Sequence, residues 1–100
     1  MLPFYVYILK CSDGSYYTGH TDDIEKRISE HRFGLTKGYT STRLPIEVVF
    51  VQDFVTRDEA LAAERKIKGW TRRKKEALIA RDWDELIRLS NEKKAKIKHS

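Results

Sequence analysis

Two alternating stretches, residues 4–11 and 15–20, are separated only by Ser12-Asp13-Gly14, a spacing that leaves the chain little choice but an antiparallel hairpin. FYVYILKC and SYYTGH are rich in the aromatic and β-branched residues that suit a pleated, half-buried surface. The turn length also decides the register. A two-residue Asp13-Gly14 turn would put Tyr7 and Tyr17 on opposite faces of the sheet. A three-residue loop with a left-handed Gly14 sets Cys11 against Ser15 instead, and gathers Tyr5, Tyr7, Tyr17 and Gly19 on one face, with Val6, Ile8 and Thr18 on the other. The second register is the one expected.

Downstream, Asp22 with Glu25 reads as a capping box opening a helix that carries Ile24, Arg27, Ile28 and His31 and ends near Phe33-Gly34. Residues 34–45 hold Gly34, Gly38 and Pro45 among hydroxyl and basic side chains and form a loop. Residues 46–54 are apolar at both parities, which predicts a central strand. Thr56 with Glu59 caps a helix running to Gly69, Thr71 caps a third to about Ala80, and Asp82 with Glu85 opens a fourth bearing Trp83, Leu86 and Ile87. The order ββαβααα gives an α+β fold, with a small three-stranded, largely antiparallel sheet flanked by helices. A chain of 100 residues supports one core, so residues 1–90 are expected to be a single domain, and the Lys-rich stretch 91–100 a basic, flexible tail.

Composition narrows the function classes. With 40% apolar and 35% charged residues the chain is globular, and no apolar run approaches a membrane span, which points to a cytoplasmic protein. Cys11 is the only cysteine, so there is no internal disulfide and no Cys-based zinc cage, and Cys11 reads as a small strand residue. The net charge of +5 is unevenly spread: residues 64–81 alone hold eight basic and two acidic side chains. Such clustering is the footprint of a polyanion binder or, equally, of a solvated helix face.

The hairpin and first helix, YVYILKCSDGSYYTGHTDDIEKRISEH, resemble the GIY-YIG nuclease superfamily over about residues 4–80, and most of all its small standalone bacterial members. Tyr5-Val6-Tyr7 stands in place of GIY and Tyr17-Thr18-Gly19 in place of YIG. Arg27 and His31 fall at the family's spacing on the next helix, and Glu64, within AAERKIKGW, matches its metal-binding glutamate. The sequence departs from the pattern at Tyr5, where the first glycine would stand, and near Glu76, where many members carry an asparagine; Asn91 is the only asparagine in the chain. The resemblance implies an endonuclease that cleaves phosphodiester bonds with one Mg²⁺ or Mn²⁺ ion, its site built from Tyr7, Tyr17, Arg27, His31 and Glu64.

Elementary chemistry is compatible with that set. Phosphodiester hydrolysis needs charge stabilised on the phosphoryl oxygens, a water deprotonated and a leaving alkoxide assisted. A single carboxylate, Glu64, suffices for one Mg²⁺ completed by water and phosphate. Asp22, Glu25 and Glu59 are accounted for as helix caps. A tyrosine with its ordinary pKa near 10 is about one part in a thousand phenolate at neutral pH, so a base needs cationic help, which Arg27 and the metal can give. Tyr17 is assigned as the base, Arg27 as the phosphate donor, and Tyr7 and His31 as orienting groups. Taken singly, each has an ordinary reading: Tyr7 and Tyr17 as half-buried strand aromatics, Arg27 as a snorkelling side chain, His31 as a surface imidazole, Glu64 as an i+4 partner of Lys68. Their joint spacing favours the site.

Lys66, Lys68, Arg72, Arg73, Lys74 and Lys75, with Lys37, Tyr39 and Arg43 of the loop, form the expected backbone-contacting surface for nucleic acid, DNA before RNA. Trp70 and Trp83 are assigned to the core, although Trp70 could stack a base. The alternative function is a nucleic-acid-binding module of the same fold without cleavage; a structural adaptor for an acidic protein ranks third, since it leaves the Tyr, Arg and Glu spacing unexplained. Standalone members lack a targeting domain, so a protein partner could supply specificity.

Overall fold

The computed structural model describes residues 3–99, except the side chains of residues 92–99. In chain order its elements are β1 (Phe4–Lys10), β2 (Tyr16–Thr21), α1 (Ile24–Arg32), β3 (Glu47–Phe54), α2 (Arg57–Lys68), α3 (Arg72–Ile79) and α4 (Trp83–His99). This is an α+β chain with an antiparallel sheet of order β2-β1-β3. It divides into two compact units, residues 1–68 and 69–100. The backbone of α4 continues past position 90 to His99; in the stretch assigned to a tail, the side chains of residues 92–99, and Ser100, lie outside the described residues. Among the described residues no helix is long and apolar enough to cross a membrane.

In the first unit, β1 pairs with β2 as Tyr5↔Thr21, Tyr7↔Gly19 and Leu9↔Tyr17, the register of the three-residue loop. Gly14 sits at φ +84°, and the Cys11 amide donates to the Ser15 carbonyl at 2.8 Å. Tyr7 and Tyr17 therefore share a face. β1 is the central strand, with Val6, Tyr7, Ile8 and Leu9 fully withdrawn from solvent, and β3 is an edge, contrary to the expectation from its apolar parities. A register shift between Ile8 and Leu9 explains the pattern: Tyr7 faces Val51 and Ile8 faces Phe50, but Leu9 faces Val48, so Val49 is an extra residue. Positions of both parities, Val48 and Val51, consequently pack on the same cluster of Tyr7, Leu9, Cys11 and Ile46, which α1 covers with Ile24 and Ile28.

One local reading also shifts. The cap of α1 is Asp23, whose carboxylate accepts from the Lys26 amide at 3.2 Å, and not Asp22, which faces Arg57 at 4.0 Å. The Thr56/Glu59 box forms as read, each side chain accepting from the other residue's amide at 3.2 Å. α2 buries Ala60, Glu64 and Ile67, one stripe at i, i+4 and i+7.

In the second unit, Thr71 caps α3 and the Asp82 carboxylate accepts from the Glu85 amide at 3.2 Å to open α4. Among the described residues, Ala77 and Leu78 are its buried apolar side chains. Trp83 is 49% exposed and is not core, because it stands in the first turn of α4; Trp70 is half-buried with the Lys74 ammonium 4.6 Å from its ring.

Candidate active site

One face of the hairpin, the end of α1 and the loop before β3 bring Tyr7, Tyr17, Arg27 and His31 together. Tyr7 crosses above Gly19, its partner on β2, where only the missing side chain makes room for the ring. Its hydroxyl lies 3.0 Å from His31 Nε2. His31 continues the inward stripe of Ile24 and Ile28 and is fully buried, so it is not the surface imidazole of its ordinary reading. Its Nδ1 lies 2.8 Å from the Thr40 hydroxyl, itself only 2% exposed. Tyr17 sits against both partners, its ring centroid 5.3 Å from His31 and 6.4 Å from Tyr7. The next layer is Tyr39, nearly parallel to Tyr17 at 6.4 Å, and over Tyr39 lies the Arg43 guanidinium at 3.8 Å, which also binds Asp13 at 3.1 Å.

The electrostatics separate the roles of these groups. Burial, with the neighbouring Tyr17, pushes the Tyr7 phenol up to about 12 against the pull of Arg27 beside it; the Glu64 charge adds a further upward push. Tyr7 is therefore a protonated phenol at neutral pH. Burial also lowers the His31 pKa, and the Arg27 charge lowers it further, so the imidazole is neutral. Arg27 itself pairs with Glu30 at 3.3 Å.

Glu64 is reached from α2. His20 lies one residue beyond Gly19 on β2, so its side chain leaves the opposite face of the sheet from Tyr17, and its Nδ1 meets Glu64 Oε1. Lys68 Nζ binds Glu64 Oε2 at 3.0 Å and also stands 6.0 Å from the Tyr17 ring, joining the carboxylate to the tyrosine cluster. Burial alone would raise the Glu64 pKa, but hydrogen bonds from His20 and Lys68 and their charges outweigh it and hold the carboxyl below its usual range. The group is an anion in a nearly buried position, as a ligand for a hard cation must be. Among the described residues no three His, Cys, Asp or Glu side chains converge, and Glu64 with its partner His20 is the carboxylate–imidazole pair next to the tyrosine cluster.

Of the residues assigned to nucleic-acid contact, Tyr39 and Arg43 join the cluster, Lys37 and Lys66 are exposed, and Lys68 is engaged with Glu64. Arg72, Arg73, Lys74 and Lys75 belong to α3 in the second unit, where Arg72 pairs with Glu76 at 3.3 Å and Arg73 with Glu85 at 3.7 Å. Sequence reading missed Thr40 and His20. Thr40 lies in an aperiodic loop, and His20 has the wrong parity to share a face with the tyrosines.

A three-stranded antiparallel sheet thus aligns two hairpin tyrosines with a helical Arg and His, and the comparisons name the family. The GIY-YIG catalytic domain matches residues 3–77. A UPF0213 protein of Haloquadratum walsbyi is 46% identical over 80 residues, covering 80% of this chain and 90% of that one, and one of Staphylococcus saprophyticus is 49% identical over 76 residues, covering 76% and 93%. The solution NMR structure of a UPF0213 protein from Bacillus halodurans superimposes with a TM-score of 0.53 at 44% identity, over 77% of this chain and 82% of that one. The chain belongs to the GIY-YIG family.

Proposed function

We propose that this protein is a divalent-metal-dependent endonuclease that hydrolyses phosphodiester bonds in nucleic acid, DNA before RNA, in the cytoplasm. The observation that carries the reading is the packing of Tyr17 between the Tyr7–His31 pair and the Tyr39–Arg43 stack, with Arg27 at the Tyr7 oxygen. Tyr17 takes the proton of the attacking water. Tyr7, kept protonated by its burial, orients that water and does not compete as a base. Arg27 turns from Glu30 to a phosphoryl oxygen, an exchange of one exposed ion pair for a charge-assisted hydrogen bond. Glu64 would hold one Mg²⁺ or Mn²⁺ ion, which when bound stabilises charge on the phosphoryl oxygens and the leaving alkoxide. Exposed cations of the loop and of α3 contact the backbone and give affinity without sequence preference. Specificity beyond that is assigned to a protein partner.

The second reading, a binding module without cleavage, is favoured by one observation: both oxygens of Glu64 are already engaged, by His20 and Lys68. A cleavage assay on single-stranded, duplex, flapped and junction DNA and RNA, with Mg²⁺, Mn²⁺ or EDTA, separates the two. Metal-dependent strand cuts support the endonuclease; tight binding without cuts on every substrate supports the module.

A further inference from the structure

In the stretch 33–45, Thr40 alone is buried, while Tyr39 beside it is 41% exposed. A hydroxyl withdrawn from water needs a partner, and here the partner is a ring nitrogen of His31. A neutral imidazole has one N–H and one bare nitrogen, and the two contacts of His31 decide between them. On the Nε2 side stands the Tyr7 hydroxyl at 3.0 Å. The positive charge of Arg27 beside Tyr7 draws on the lone pairs of its oxygen and turns the phenol proton away from the cation, towards Nε2 within reach at 3.0 Å. Nε2 is then the bare nitrogen and Nδ1 carries the proton, which it donates to Thr40 Oγ1.

We infer that Thr40 is a positioning residue of the reaction: by accepting from His31 Nδ1–H it fixes the tautomer whose Nε2 holds the Tyr7 proton. The Tyr7 oxygen then presents its lone pairs to Arg27 and to the attacking water. In the opposite tautomer Nε2–H would point at the phenol, the phenol proton would swing out, and Tyr7 would meet the water as a donor. The same anchor holds the loop in place. The Arg43 amide donates to the Thr40 carbonyl at 3.0 Å, and Arg43 and Tyr39 on either side of Thr40 build the wall against Tyr17. The inference rests on the endonuclease reading for its consequence in catalysis, but the tautomer itself can be read without any substrate.

The test uses the full chain labelled with ¹⁵N-histidine, the His31 signals being those lost in His31→Gln. At neutral pH the wild type should show Nδ1 protonated and Nε2 bare. Thr40→Ser, which keeps the oxygen, should show the same. Thr40→Val, which keeps the shape and burial but removes the acceptor, should shift the population towards Nε2–H. In cleavage assays Thr40→Val should lower kcat about tenfold, the worth of one net hydrogen bond, leave KM unchanged and be rescued by Thr40→Ser. An Nε2–H tautomer in the wild type overturns the inference even if Thr40→Val fails to fold, and so does an unchanged tautomer in a folded Thr40→Val. If the wild type shows Nδ1–H but cuts no substrate, the endonuclease reading fails and Thr40's part in catalysis fails with it, whereas an Nε2–H wild type that does cut removes Thr40 alone.

Discussion

Tyr7 lies so closely over Gly19 that a Cβ at position 19 would stand 2.5 Å from the phenol oxygen and 2.7 Å from the carbon bearing it. Real Cβ atoms do not approach so near, and the ring can escape only by leaving His31. Gly19→Ala should therefore cost about 1 to 3 kcal/mol of stability through overpacking and, in a folded protein, at least tenfold in cleavage. Denaturant melts and cleavage rates on the purified variant check both. Wild-type values in both would mean that the Tyr7 position is immaterial.

The hairpin was legible because its constraint is local: a three-residue loop with one left-handed glycine leaves a single register that pairs Cys11 with Ser15. The helix caps at Thr56, Thr71 and Asp82 were legible for the same reason, each being satisfied within three residues. Sequence could not tell Asp22 from Asp23, since adjacent carboxylates compete for one cap. Strand order was misread in β3 because the extra residue Val49 reverses which parity faces the core, and nothing in VVFVQ marks a bulge. The burial of His31 was readable, as the i+7 member of the stripe begun by Ile24, but a histidine there does not announce its partner. Thr40 and the His20–Glu64 pair depend on contacts between segments nine and 44 residues apart, which only the fold supplies.

The pH dependence of stability should carry two signatures from this cluster. His31 has its pKa lowered below 6.5 by burial, so the stability it protects is complete above pH 6.5 and is lost as pH falls through its lower folded value. Tyr7 has its pKa raised from 10.0 to about 12, so its contribution is complete below pH 10 and is lost as pH rises towards 12. Urea denaturation across a pH series should show His31→Gln flattening the limb just below pH 6.5 and Tyr7→Phe flattening the alkaline limb. Unchanged limbs in both variants would remove these two groups from the linkage.

Binding to nucleic acid should run through phosphates. Arg72 and Arg73 meet Glu76 and Glu85 at exposed positions, and such pairs are worth little, so they yield readily to a polyanion. Replacing Arg72, Arg73, Lys74 and Lys75 with glutamine should weaken binding to all sequences alike and flatten the dependence of log affinity on log salt by up to about 3 to 4 units. A titration series in rising salt measures it, and an unaltered slope would locate the contacts elsewhere.

The proposed metal ligand is Glu64, and its neighbours make opposite predictions for two substitutions. Lys68 neutralises Glu64 at 3.0 Å, and an ammonium and a divalent cation cannot share that oxygen without strong repulsion. If the cation site is at Glu64, metal must displace Lys68. Lys68→Gln should then tighten Mn²⁺ binding severalfold in calorimetry with no nucleic acid present, and Glu64→Gln should abolish it. Glu64→Gln retains the size and one of the two acceptor oxygens, so the fold by circular dichroism and the affinity for nucleic acid should survive while most Mg²⁺-dependent cleavage is lost. Glu59→Gln is the control, because that carboxylate only completes the Thr56 cap, and it should cleave at close to the wild-type rate with at most about 1 kcal/mol lost in stability. Full cleavage by Glu64→Gln would end the metal assignment. Mn²⁺ affinity that falls in Lys68→Gln would show that Lys68 supports the ion instead of competing with it, and the cation would have to be sought away from Glu64 Oε2.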